Sequence, residues 1–134
     1  MGIRIGADAL LSGMDPSAFD ALLLPGGPAV AALRKEEGMV SLVRCFGEAG
    51  KVVAGICAAP LLMHDAGLLE GRRHTAHFTT QEELLAAEGE ERVIVDGSLV
   101  TSRGAGTAVE FGLALAALLE GKEAVQEVAE AIMV

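Results

Sequence analysis

The sequence contains no tryptophan and no tyrosine, and only four phenylalanines. A core built around large aromatic rings is therefore excluded, and Ala, Val, Leu and Ile must fill the interior. Hydrophobic residues still make up 51% of the chain, which excludes a disordered polypeptide. Cysteine is scarce too. Cys45 and Cys57 are the only two, too few for a disulfide framework, and both are read as reduced thiols. Cations are outnumbered, with 10 Lys and Arg against 19 Asp and Glu, for a net charge of −9. That balance argues against a nucleic-acid backbone or an anionic membrane as the main partner. No apolar run reaches the roughly 18 residues of a membrane span. The opening "MGIRIGADALLSG" lacks the basic and then apolar pattern of a signal peptide. A cytoplasmic protein is expected. No linker, repeat or low-complexity tract interrupts the chain, so residues 1–134 are expected to form a single domain.

What is present is an alternation of buried strands and helices. "FDALLLPGG" (19–27) is a continuous apolar run ending in a tight turn. "PAVAALRKEEG" (28–38) predicts a short helix closed by Gly38, and "MVSLVRCFGEAG" (39–50) a second closed by Gly50. "KVVAGI" (51–56) is another buried strand. "CAAPLLMHDAG" (57–67) reads as a helix with Pro60 in its first turn. "RRHTAHF" (72–78) is expected to be a short strand or strand end. "TTQEELLAAEG" (79–89) reads as a helix opened by a Thr80–Glu83 capping box. The two β-rich runs of "RVIVDGSLVTSR" (92–103), either side of Asp96-Gly97, signal a hairpin. "GTAVEFGLALAALLEG" (106–121) and "KEAVQEVAEAIMV" (122–134) are expected to be two further helices. This order predicts an α/β fold with a parallel sheet covered on both faces. Ligands of such sheets bind beyond the carboxyl ends of the strands. The Pro25-Gly26-Gly27 turn, Cys57 and "TSRGAGT" (101–107) all fall there.

Cys57 lies where a strand turns into a helix. That corner lifts a side chain out of the sheet, and free backbone N–H groups at the helix start favour negative charge. A thiol so placed gains thiolate character. Gly55, Ala58 and Ala59 are small enough for the sharp turn of a nucleophile elbow, whose N–H groups could also hold an oxyanion. The plain alternative is a small buried cysteine that only packs.

Four motifs occur together and in order: "LLLPGG" (22–27), "GICAAP" (55–60), "HTAHF" (74–78) and "TSRGAGT" (101–107). This set resembles the ThiJ/PfpI family, and the C-terminal third resembles its deglycase branch. The likeness runs from about Ile3 to Val134. It implies a flavodoxin-like fold, close to that of class I glutamine amidotransferases. By the same resemblance Cys57 would be the nucleophile, oxidisable to sulfinic acid under oxidative stress. His77 would be a proton carrier, the plain alternative being a hydrogen-bonded structural histidine. The backbone N–H groups of Gly26 or Gly27 and of Ala58 would form the oxyanion pocket. Arg103, Gly104, Ala105 and Gly106 would shape the rim. A homodimer is implied, and no cofactor. The family also has a leading strand-helix-strand part, which carries a glutamate that hydrogen-bonds the cysteine. Asp8, Asp15 and Asp20 do not match that glutamate. The resemblance therefore implies an N-terminally truncated sheet with exposed apolar surface, prone to association.

The remaining residues have plain readings. His74 and His77 stand three apart, which on a strand sends them to opposite faces, so a His74–His77–Cys57 metal set is not expected. His64 is read as a structural or surface residue, Glu110 as a solvated group or one that complements the helix N-terminus, and Cys45 as a packed helix residue. Arg103 is either an anion contact or a salt-bridge partner. Two functions follow. The first is a cysteine-dependent glyoxalase or deglycase acting on methylglyoxal or its early amine adducts, weakened by the absent glutamate. The second is a non-catalytic redox sensor or stress chaperone with an oxidisable Cys57. A dienelactone-hydrolase type of site is disfavoured because no histidine follows His77.

Overall fold

The computed structural model describes residues 4–134; the expected start of the family likeness at Ile3 lies outside them. Four strands form one sheet in the order β1-β2-β4-β3. They are β1 (Ala21–Leu24), β2 (Val52–Ile56), β3 (Val93–Asp96) and β4 (Leu99–Ser102). β1, β2 and β4 run parallel, with Leu24 opposite Gly55 and Ile56 opposite Ser102. β3 is an antiparallel edge, joined to β4 by the expected hairpin with Gly97 at φ +61°. The two edge strands show the in-and-out alternation of half-covered strands, with Ile94 buried and Val95 exposed on β3, and Leu24 buried and Leu23 exposed on β1.

Helices cover both faces, as the alternation predicts. α1 (Val30–Leu33), α2 (Glu37–Glu48) and α3 (Pro60–Asp65) share one cluster with Leu24, Val53 and Leu99. α4 (Ala108–Glu120) lies on the other face, where Phe111 packs on Ala54 and Val100. α5 (Lys122–Ala131) folds back against α4. Val53 and Ala54 point to opposite faces, as consecutive strand residues must. Each fully buried aliphatic side chain in these layers stabilises the fold by roughly 1.5–3 kcal/mol.

Four local expectations are corrected. Gly38 does not close a helix: α1 ends at Leu33, and Gly38 sits in the first turn of α2. Residues 72–78 form no strand. Their amides find partners one at a time, as when Thr75 N–H donates to Thr101 Oγ1 at 2.9 Å. Residues 79–89 form no α-helix, only a 3-10 turn at Phe78–Thr80 followed by further turns. The capping box fails because Thr80 Oγ1 donates backward to the His77 carbonyl at 2.7 Å, while Glu83 turns to Arg34. Cys45 is exposed rather than packed, because α2 buries Val43 and Phe46 and leaves Arg44 and Cys45, the two positions between them, outside. Among the described residues no helix is long and apolar enough to cross a membrane.

Candidate active site

β2 ends at Ile56, and the chain reverses through Cys57, Ala58 and Ala59 before α3 starts at Pro60. Cys57 has φ +64°, the left-handed region that a side-chain-bearing residue occupies at a cost. Two backbone bonds hold it there. Its N–H donates to the Ser102 carbonyl at 2.9 Å, and its own carbonyl accepts the His77 N–H at 2.9 Å. The end of β4 and the segment carrying His77 are thereby both tied to the elbow.

Gly26 makes the close approach on the other side. A β-carbon at that position would stand 2.5 Å from Cys57 Cβ and 2.7 Å from the Ile56 carbonyl oxygen. Gly27 follows with φ +106°. Among the described residues, the N–H groups of Gly27 and Ala58 donate to no backbone carbonyl, and both residues line the same cavity as Cys57. That cavity has a volume of about 440 Å³, and His77, Thr79, Arg34 and Glu83 share its wall.

His77 is half-buried, with its ring 4.3 Å from that of Phe78. Its Nδ1 lies 2.8 Å from Thr79 Oγ1 and 3.4 Å from the Thr79 N–H. With Nδ1 accepting from the amide, the neutral ring carries its proton on Nε2. His74 is placed quite differently. It is buried, and its Nδ1 lies 2.9 Å from the Arg72 carbonyl. Among the described residues no group of three His, Cys, Asp or Glu side chains is placed to hold a metal ion.

The rim residues take a separate position. Arg103, Gly104, Ala105 and Gly106 line a neighbouring hollow of about 570 Å³, not the Cys57 cavity. His77 belongs to both and forms the wall between them. Arg103 Nη1 reaches only the Glu90 carbonyl, at 3.4 Å, so the salt-bridge reading of this residue is not realised among the described residues. Glu110 is a surface group as expected, paired with Arg92 at 2.6 Å. His64 is exposed, also as expected.

Arg34, Thr79 and Glu83 are cavity residues that no motif marks as such; the local pattern placed Glu83 in a capping box instead. Arg34 caps α1 and grips two carboxylates. Its Nε and Nη2 donate to Asp65 at 2.6 and 2.8 Å, and its Nη1 donates to Glu83 at 2.9 Å. Asp65 and then Glu83 hold the Arg34 guanidinium firmly protonated. In return Arg34 keeps the Glu83 carboxyl below the usual carboxylate range. These contacts join positions 31 and 49 residues apart, beyond the reach of any local pattern.

A flavodoxin-like sheet with a cysteine elbow at the carboxyl end of its central parallel strand defines the class. The DJ-1/PfpI family profile matches residues 1–118, and the chain belongs to that family. It is 39% identical to Protein DJ-1 homolog A of Arabidopsis thaliana, over 98% of this chain and 35% of that one. It therefore spans about a third of the length of that relative. A deglycase of Thermococcus kodakarensis is 38% identical over 76% of this chain and 63% of its own. A glutathione-independent glyoxalase of Caenorhabditis elegans is 31% identical over 91% and 67%. The crystal structure of Drosophila melanogaster DJ-1beta superposes with a TM-score of 0.79 at 36% identity, covering 87% of this chain and 64% of that one.

Proposed function

We propose that the chain carries cysteine-dependent glyoxalase or deglycase chemistry on methylglyoxal or its early amine adducts. The observation that carries this reading is the elbow: Cys57 at positive φ faces one cavity with two backbone amides and a histidine. The names of the deglycase and glyoxalase relatives support it.

In this reading the Cys57 sulfur attacks the aldehyde carbon. A C–S bond forms, and the carbonyl electron pair moves to oxygen, where the N–H groups of Gly27 and Ala58 stabilise it. Gly26 keeps the turn tight enough for that approach. Protonation of the oxygen gives a hemithioacetal. His77 then takes the proton from the former aldehyde carbon and returns one to the adjacent carbon, while the hemithioacetal hydroxyl gives its proton to the neighbouring ketone oxygen, leaving a hydroxy thioester. Water cleaves the thioester to a hydroxy acid and restores the thiol. No redox partner, metal or organic cofactor is needed for this balance. The hollow bounded by Arg103, Gly104, Ala105 and Gly106 would take the remainder of a larger adduct. A positioned acid or base of the His77 kind contributes about 10²- to 10⁴-fold in rate. A single cytoplasmic domain working as a homodimer completes the proposal, and sedimentation at two protein concentrations tests the dimer.

The deciding experiment pairs methylglyoxal turnover with intact-mass spectrometry, on wild type and Cys57→Ala. Hydroxy acid formation and a covalent adduct, both lost in the variant, support the reading. Turnover that survives Cys57→Ala removes it.

One observation favours the redox-sensing alternative. Glu83, the carboxylate in the cavity wall, is held ionised by Arg34 and is not a free proton carrier. Selective oxidation of Cys57 over Cys45 at low peroxide, without turnover, would establish that role. Exposed Cys45 is a stringent internal control.

A further inference from the structure

The segment that carries His77 has little structure of its own. Between Arg73 and Glu91 it forms only the 3-10 turn at Phe78–Thr80 and a series of turns. Something else must fix the imidazole relative to the thiol. One tie is the His77 N–H bond to the Cys57 carbonyl, which sets the backbone.

A second tie closes a ring around the cavity. Cys57 leads through α3 to Asp65, the last residue of that helix. Asp65 is gripped by Arg34 Nε and Nη2. The same guanidinium reaches both oxygens of Glu83, Nη1 at 2.9 Å and Nη2 at 2.7 Å. Glu83 is coupled back to His77 by turn bonds, its N–H and that of Leu84 both donating to the Thr80 carbonyl at 3.1 and 2.9 Å. Thr80 Oγ1 then donates to the His77 carbonyl. We infer that the Arg34–Glu83 pair, braced by Asp65, is a latch that positions His77 against Cys57, with Glu83 a positioning residue. This inference rests on reading Cys57 as the reacting thiol.

Two features favour positioning over the plainer roles. Glu83 is not placed as a proton carrier, because Arg34 occupies both its oxygens. Nor is it a large stability element. Its side chain is 50% exposed, and such pairs contribute little to folding. A planar guanidinium holding two carboxylates at once does fix orientation, and orientation is what His77 needs.

The test is a double-mutant cycle of Glu83→Gln and His77→Ala, in a Cys45→Ser background so that Cys57 is the only thiol. Methylglyoxal kcat and KM are measured, together with the pH profile of Cys57 alkylation by iodoacetamide. Glu83→Gln is expected to lower kcat by about tenfold or more with KM little changed. It is expected to move the alkylation profile toward that of His77→Ala, and to add nothing when His77 is already replaced. Equal effects in both backgrounds, or no effect in either, overturn the latch. A wild type that turns over no methylglyoxal sinks the proposed activity, while the alkylation cycle still decides the latch. Should Glu83→Gln fail to fold, Arg34→Lys keeps the charge, breaks the bidentate grip and is read in the same way.

Discussion

Cys57 pays a conformational cost at φ +64° that a glycine would not. Replacing it tests that directly. Cys57→Gly should be more stable than Cys57→Ala by about 1 kcal/mol, since only alanine retains the left-handed strain. Urea denaturation of the two variants measures the difference, and equal midpoints would contradict the strained elbow. Across from it, Gly26→Ala would put a methyl group within 2.5 Å of Cys57 Cβ. The turn must then open, at a cost of about 1–3 kcal/mol in stability. Turnover should fall with it, because the Gly27 amide moves away from the sulfur. Stability and kcat measured on the same preparation check both effects. The elbow was legible in the sequence, because a strand run, a lone thiol, small residues and Pro60 stand consecutively. Glu83 was not, because its meaning depends on Arg34, which only the folded chain brings near. The local pattern instead assigned Glu83 to a capping box that Thr80 does not form.

Among the elements, strand runs and the longer helices follow from apolar periodicity, while residues 72–89 do not. That stretch has the composition of a strand followed by a helix. Its fold is set instead by single contacts: His77 to the elbow, Thr75 to Thr101, Leu84 into the core and Glu83 to Arg34. Tertiary contacts override weak local propensity there. A similar device holds the approach to β1. Lys51 Nζ donates to the carbonyls of Pro16 and Ser17 at 3.1 Å and of Phe19 at 2.5 Å, and lies 5.2 Å from the Phe46 ring centroid. One ammonium thus fastens the Pro16–Ala18 turn to the start of β2. Lys51→Met keeps the aliphatic stem and removes the donors. It should cost about 1–3 kcal/mol, as loss of hydrogen bonds from a charged group does. Thermal denaturation would show the loss. Faster proteolysis confined to residues before β1 would show that the staple is local.

For the molecule as a whole, apolar surface and charge are both unevenly used. α4 has Glu110 and Glu120 as its only polar side chains, yet Phe111 is its only buried residue, and Val109, Leu118 and Leu119 are exposed. Leu23, on edge strand β1, is exposed as well. The segment is apolar along its whole length in the sequence, and the surface it leaves exposed is apolar enough to drive association. Charge works through arginine. All five ion pairs among the described residues join an arginine to a carboxylate. Asp96 is held below its ordinary 3.8 chiefly by Arg72, and Glu83 and Glu88 below 4.5 chiefly by Arg34 and Arg73. A carboxylate with a lowered folded pKa contributes stability that is fully present above its unfolded pKa. That contribution disappears as pH falls through the lower folded value. Acidification also has an opposite effect here, because neutralising other carboxylates relieves the repulsion of a chain with net charge −9. A melting curve of the wild type alone mixes the two. The difference between wild type and Arg72→Met does not, since the general term largely cancels. Arg72→Met should melt lower than wild type at pH 7; the gap should begin to narrow below about pH 4, where Asp96 becomes protonated in both unfolded chains, and close as pH falls through the lower folded value of wild-type Asp96. A gap that stays constant down to pH 3 would mean that Arg72 acts through its bond to the Asp96 carbonyl rather than through the carboxylate.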